Sequence, residues 1–391
     1  MNKIIVFLIG IVNTYFLFSS CSSYRKDDSL SLKMINEDTL FVCDMSAINN
    51  KIDISLSDWI EDFKIVRFEN TDTALFKSWK VYITDHYIGI LQSAVSPFKL
   101  FDHTGKFICD VGGIGQGVGE YTTLYSAAID ERNEAVWLAP FSGEYLWKYN
   151  LKGEHILTVK TEQMNKPQIR GECDSSLTMT HLCFTGMSGY QYVHIYSPDS
   201  LHYVKPNKYQ AIMPRDKDGN FTGFNHELWF YNNSNVFTYM TTYSDTLYAY
   251  DRQSEQTFPR FTAIHHPNDY CIYNEVPSGF LISNSGYLSS SEKNKTNMVW
   301  VDKNGLQAYY VEITNDQMGG LPASNFAYSS NGWYYEMFEP YQLIELIRKR
   351  LSGKDCGEKE QTVLQKMLGS IDEDGNNILF MGKLKSYFEI K

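Results

Sequence analysis

The chain of 391 residues contains seven cysteines but no CxxC pair. That absence removes the zinc-finger and thioredoxin-like readings. It also lacks any surplus of positive charge, with 35 Lys and Arg against 46 Asp and Glu for a formal net charge of −11. An acidic surface of this kind repels phosphate backbones, so a nucleic-acid partner is not expected. No apolar run is long enough to span a bilayer, which takes about 20 residues. No Gly-x-Ser-x-Gly elbow, no Walker loop and no repeated pair of carboxylates is present. The sequence therefore assigns no catalytic residue, no metal ligand set and no cofactor.

The chain start has a different character. Lys3 precedes a mostly apolar run over residues 4–18, interrupted by Asn13 and Thr14, 15 residues in all. This is the length of a signal-peptide h-region. The run ends in Phe18-Ser19-Ser20-Cys21, which resembles a bacterial lipobox. Residues 1–20 are expected to be a lipoprotein signal peptide, and Cys21 the lipid attachment site. Residues 21–37, rich in Ser, Lys, Arg and Asp, read as the lipidated N-terminus and a flexible tether. The expected location is the cell envelope, with the body held to a membrane by acyl chains. Six cysteines follow: Cys43, Cys109, Cys173, Cys183, Cys271 and Cys356. Export would permit Cys173 and Cys183 to pair across adjacent strands, and free buried thiols are the other reading.

Aromatic residues make up 15% of the chain, with 28 Tyr and 23 Phe, which suits strands. Residues 126–160 parse as four short strands, over 126–130, 135–140, 145–151 and 155–160, joined by polar turns. The pattern returns 48 residues upstream, where Phe101-Asp102-His103-Thr104-Gly105-Lys106 matches Tyr149-Asn150-Leu151-Lys152-Gly153-Glu154. The same punctuation falls at Asp102, Asn150, Ser197, Asp251 and Asp302, with spacings of 48, 47, 54 and 51. A period near 50 with four strands per unit predicts a β-propeller. Five marks give five blades. Strands at residues 63–68 and 378–384 supply a sixth, closing the ring from both chain ends and removing exposed sheet edges. The fold class is thus an all-β, six-bladed propeller over residues 38–391. Leu343, Ile344, Ile347 and Leu351 at helical spacing, with Val363, Leu364, Met367 and Leu368 further on, predict a helical insertion at about 340–370.

Residues 101–121 resemble the blade signature of the six-bladed propeller lipoproteins of Bacteroidetes, relatives of the NHL-type propellers. The resemblance rests on Phe101-Asp102 with Gly105-Lys106-Phe107, then on Gly115-Gln116-Gly117-Val118-Gly119-Glu120-Tyr121, with Val118 where that family carries proline. It extends over about residues 60–385. It implies fold and location, and no reaction.

The run Asp110-Val111-Gly112-Gly113-Ile114-Gly115-Gln116-Gly117-Val118-Gly119-Glu120-Tyr121 holds five glycines in eight positions. Its Gly-x-Gly-x-Gly-x-Gly spacing is not a dinucleotide fingerprint. It reads as an inter-blade crossover in which glycines permit positive φ, Gly117 among them, and Glu120 or Gln116 satisfies turn amides. Gln116, Glu120 and Tyr121 are the candidate ligand-binding residues, should this loop line a channel mouth. Asp216-Lys217-Asp218-Gly219-Asn220 with Glu227 at the twelfth position imitates a calcium loop, but Phe221 holds the sixth position, where glycine is needed. The five residues from His265 to Asp269 and the acidic stretch 372–377 read as loops. The leading expectation is a membrane-tethered, non-enzymatic binding propeller whose ligand (a glycan, a peptide or an envelope protein) sits at the channel mouth. A metal-dependent propeller hydrolase, lactonase or lyase is the alternative, as is a structural subunit of an envelope complex.

Overall fold

The computed structural model describes residues 29–386 apart from 36–37, 93–94, 186–188, 207–208, 210–211, 214, 223–225, 243, 267–268, 287–295 and 325. Residues 1–20, Cys21 and the tether up to residue 28 lie outside the described residues, as do Pro267 and Asn268.

The chain forms a six-bladed β-propeller. Blade 1 is Ser78–Ile83, Tyr87–Gln92, Phe98–Asp102 and Phe107–Val111; blade 2 is Ser126–Asp130, Ala135–Ala139, Tyr145–Asn150 and His155–Lys160. Blade 3 runs from Gln168–Gly171 through Leu177–Thr180 and Tyr192–Ser197 to Ser200–Val204. Blade 4 is Leu228–Trp229, Phe237–Thr241, Thr246–Asp251 and Gln256–Ile264, and blade 5 is Asp269–Val276, Gly279–Gly286, Thr296–Asp302 and Gln307–Asn315. All are antiparallel meanders. All five sequence marks end the third strand of their blade. The cause is local: Asp102 accepts from the Thr104 and Lys106 amides at 2.8 and 3.1 Å, and Asn150 accepts from Lys152 and Glu154 at 2.9 and 3.0 Å. These are Asx turns, in which a short side chain replaces the backbone acceptor.

Blade 6 closes the ring. Ile378–Leu384 pairs antiparallel with Trp333–Phe338 on one side and with Ile60–Arg67 on the other. The chain start thus supplies the outermost strand and the chain end the strand beside it. Asn376 and Asn377 are buried at this joint rather than forming a plain surface turn. Asn376 donates to the carbonyls of Glu69 and Ala74, and Asn377 to that of Phe76. The innermost position of blade 6 is irregular. A 3-10 turn at Phe326–Tyr328 and a single bridge between Ser330 and Trp333 stand where a strand would run.

Six buried apolar clusters lie one between each pair of neighbouring blades, because every blade has two apolar faces. A seventh lies under the helices Pro340–Leu351 and Glu358–Leu368, which pack Leu343, Ile347, Leu364 and Met367 on blade 6 beside Phe338 and Phe380. The insertion therefore covers a blade rather than a channel mouth.

Leu30–Ile35, inside the stretch expected as a tether, is a strand. It pairs with Asp38–Asp44, which runs parallel to the outer strand of blade 4, while Lys51–Ser55 runs parallel to the outer strand of blade 5. None of the six described cysteines after residue 29 is in a disulfide, so Cys173 and Cys183 do not pair with each other, and Cys43, Cys183, Cys271 and Cys356 are buried.

Candidate functional site

The glycine run joins the outer strand of blade 1 to the inner strand of blade 2. Positive φ falls at Gly112 (+70°) and Gly119 (+73°), not at Gly117. A Cβ on Gly119 would lie 2.5 Å from His155, and one on Gly112 would meet the rings of Tyr149 and Tyr121. Glu120 accepts from the Gly117 amide at 2.8 Å, so it does satisfy a turn amide. Tyr121 is 2% exposed; its hydroxyl donates to the Val111 carbonyl at 2.5 Å and accepts from the Phe98 amide at 2.9 Å. Gln116 and Glu120 are exposed on the outer crossover. None of the three lines a channel cavity.

Among the described residues, two cavities of the central channel share Tyr82, Gln168, Phe230 and Ser330. Blade 5 contributes no inner-strand residue to either. Two segments in front of it explain why. Asn331 donates to the Tyr231 carbonyl at 2.7 Å, Gly332 to the Asn233 side chain at 2.8 Å, and Asn233 binds Asn274 on the inner strand of blade 5 at 3.0 Å.

One end is polar, with a cavity of about 730 Å³ lined by the last residues of the inner strands and the turns that follow. Several of its charged side chains reach the next blade. Lys383 binds Asp85 at 2.8 Å, His86 binds Glu131 at 2.7 Å, Arg132 donates to the Cys173 carbonyl at 3.3 Å and Arg170 to the Asn235 carbonyl at 3.3 Å. These four contacts link blades 6, 1, 2, 3 and 4 in order.

The other end is aromatic, with a cavity of about 360 Å³ whose wall includes Trp79, Tyr125, Trp229, Tyr231, Tyr328 and Tyr335. Trp79 reaches it through a β-bulge. Ser78 pairs with Gln92 and Lys80 with Leu91, so Trp79 has no partner in the ladder and its side chain is turned out, 44% exposed. Lys80 Nζ lies 4.4 Å from the centre of the Trp79 ring and 4.0 Å from that of Tyr125, and donates to the Tyr125 carbonyl at 2.9 Å. Its pKa falls to about 8, chiefly through burial, which outweighs the opposing attraction of Glu227, with Lys166 adding to the fall. Glu227, just before the inner strand of blade 4, accepts from Lys166 Nζ at 2.6 Å and from the Tyr125 hydroxyl. Burial pushes the Tyr125 hydroxyl far above its ordinary range, so it stays protonated.

The residue that imitated the last ligand of a calcium loop is therefore a wall of this mouth. Asp216 instead caps its own turn, accepting from the Asp218 and Asn220 amides at 2.9 and 2.8 Å. His265 donates from Nδ1 within its loop to the His266 carbonyl at 2.9 Å. Among the described residues no three His, Cys, Asp or Glu side chains are grouped to hold a metal ion, and no helix is long and apolar enough to cross a membrane. The signal that would have found this mouth is positional. Trp79 and Lys80 open the inner strand of blade 1, and Tyr125 immediately precedes that of blade 2.

No curated protein matches the chain. Among solved structures, a Bacteroides fragilis protein described as exported superposes with a TM-score of 0.58 at 16% identity, covering 85% of this chain and 100% of its own. A member of the duf4221 family from Bacteroides vulgatus gives a TM-score of 0.47 at 8% identity, over 84% of this chain and 98% of its own. The first likeness bears on the fold alone. A family model matches residues 40–383, and the chain belongs to that family, Domain of unknown function (DUF4934).

Proposed function

We propose that this protein is a binding propeller of the bacterial cell envelope, non-enzymatic and tethered by lipid at Cys21, which takes a glycan at the aromatic mouth of its channel. The observation that carries the reading is the bulged, half-exposed Trp79 beside a cavity where the polar side chains of Gln168, Ser330, Tyr328 and Tyr335 stand among aromatic walls. Apolar walls with a few convergent polar groups are the general form of a small-ligand site. A flat aromatic face and hydroxyl-bonding groups suit the two surfaces of a sugar ring. A volume of about 360 Å³ suits one or two rings better than a protein partner.

The tether reading, and with it the kinship to lipoprotein propellers, is supported by the lipobox-like sequence at Cys21. Eight residue steps separate Cys21 from Ser29, the first described residue, and reach at most about 28 Å. Such a link would hold the ring close to the membrane. A Cys21→Ala protein is expected to leave the membrane fraction; full retention there overturns the tether. Glycan-array screening followed by titration calorimetry tests the ligand class. Binding that Trp79→Ala abolishes supports the reading, and binding that Trp79→Ala leaves intact overturns the site.

A further inference from the structure

Two charged side chains, Lys80 and Glu227, line the aromatic mouth, and Glu227 pairs with the buried Lys166 rather than with Lys80. Glu227 commits one carboxylate oxygen to Lys166 and the other to the Tyr125 hydroxyl. Lys80 has no carboxylate within 4.0 Å among the described residues. Of the three N–H groups on its ammonium, one is used, on the Tyr125 carbonyl. Contact with the Trp79 and Tyr125 rings stabilises the cation without satisfying its remaining donors. The local sum is one net positive charge, in a chain whose formal net charge is −11. Such a cation on a cavity wall, half-withdrawn from water, is costly unless an anion meets it.

We infer that the ligand of this mouth is an acidic sugar of the uronic acid class, its carboxylate received by Lys80 and its ring laid against Trp79. The inference rests on the reading of the aromatic mouth as the ligand site. A neutral sugar would leave the spare Lys80 donors facing only hydroxyls. A cationic ligand would meet the Lys80 ammonium. A carboxylate completes a charge-assisted hydrogen bond, the stronger kind, in a place where Glu227 cannot reach. The titratable groups facing Lys80 are Lys166, Glu227 and Tyr125. Because burial holds the Lys80 ammonium near pH 8, a carboxylate ligand must bind its charged form, and affinity falls as pH rises past 8.

The test is calorimetry of the full chain with digalacturonate and with neutral digalactose of the same linkage. Digalacturonate is expected to bind at least tenfold more tightly. Lys80→Met should bring it down to the neutral sugar, while Lys80→Arg keeps the preference and removes the decline above pH 8. Thermal melting of each variant separates lost binding from lost folding, and the wild-type pH profile stands without any variant. Equal affinity for the two sugars, or a preference that survives Lys80→Met, overturns the inference and leaves the aromatic mouth as a sugar site. Binding that survives Trp79→Ala overturns the site, and the inference with it.

Discussion

The two ends of the channel are made by the same inner strands, yet their walls differ in chemistry. At the polar end Asp85 pairs with Lys383 and Glu131 with His86, and Arg132 and Arg170 each reach a backbone carbonyl on the next blade. At the aromatic end Lys80 also reaches the next blade, through the Tyr125 carbonyl, but its ammonium lies against two aromatic rings rather than among polar groups. The larger cavity is walled by polar and charged groups, the smaller by aromatic rings around a lysine and a carboxylate.

The comparison is broken most severely by exchanging the roles of the ends. Trp79→Ala is expected to weaken sugar binding by at least a hundredfold, about 3 kcal/mol, while Arg132→Ala changes it less than twofold. Calorimetry on both variants decides, and the opposite order would move the site to the polar end. Architecture is separated from binding by the crossover. Gly119→Val, with φ at +73° and His155 2.5 Å from the new Cβ, should cost about 2–4 kcal/mol in denaturant unfolding. Gly117→Ala, where φ is ordinary and the nearest atom is the mobile Glu120 carboxylate, should cost less than about 1 kcal/mol. Neither should alter the preference between sugars.

A further variant lies one residue beyond the channel-lining Tyr335. Glu336 is 4% exposed and accepts from Tyr334 and Ser324, both at 2.9 Å, and burial raises its carboxyl to about 7. The folded state therefore keeps a proton that the unfolded chain releases near 4.5. That stabilisation is full below pH 4.5 and is lost as pH rises through 7, on the order of 3 kcal/mol. Glu336→Gln should melt progressively higher relative to wild type between pH 5 and pH 8. A difference in Tm that does not change with pH contradicts this. The smallest effect belongs to the polar end. Asp85→Asn and Lys383→Met should each cost under about 1 kcal/mol, because both side chains are roughly half exposed.

Most of the fold was legible because its signals are local. An Asx turn needs only Asp102 or Asn150 and the next few amides, so the period of the blades is written in the sequence. The closing strands and the two helices announced themselves through their own alternation. What could not be read depends on distant partners. Leu30–Ile35 is apolar at four of its six positions but continues a polar stretch that reads as tether, and it is a strand because Asp38–Asp44, itself held on blade 4, supplies its neighbour. The irregular inner edge of blade 6, with Tyr328 in the channel wall, has no periodic signature. The mouth itself joins Lys80, Tyr125, Lys166 and Glu227 across blades 1 to 4, and no spacing in the sequence foretells it. Gln116, Glu120 and Tyr121 attracted notice through glycine density. That density serves a crossover in which Tyr121 is core and Gly119 is the residue with a left-handed φ.

The most direct measurement is the position of a bound sugar in crystals of this protein grown with digalacturonate. The account predicts density at the aromatic mouth, with a ring against Trp79 and the carboxylate within hydrogen-bonding distance of Lys80 Nζ. Density at the polar end, among Asp85, Glu131, Arg132 and Arg170, or on the outer face of the blades, would contradict it.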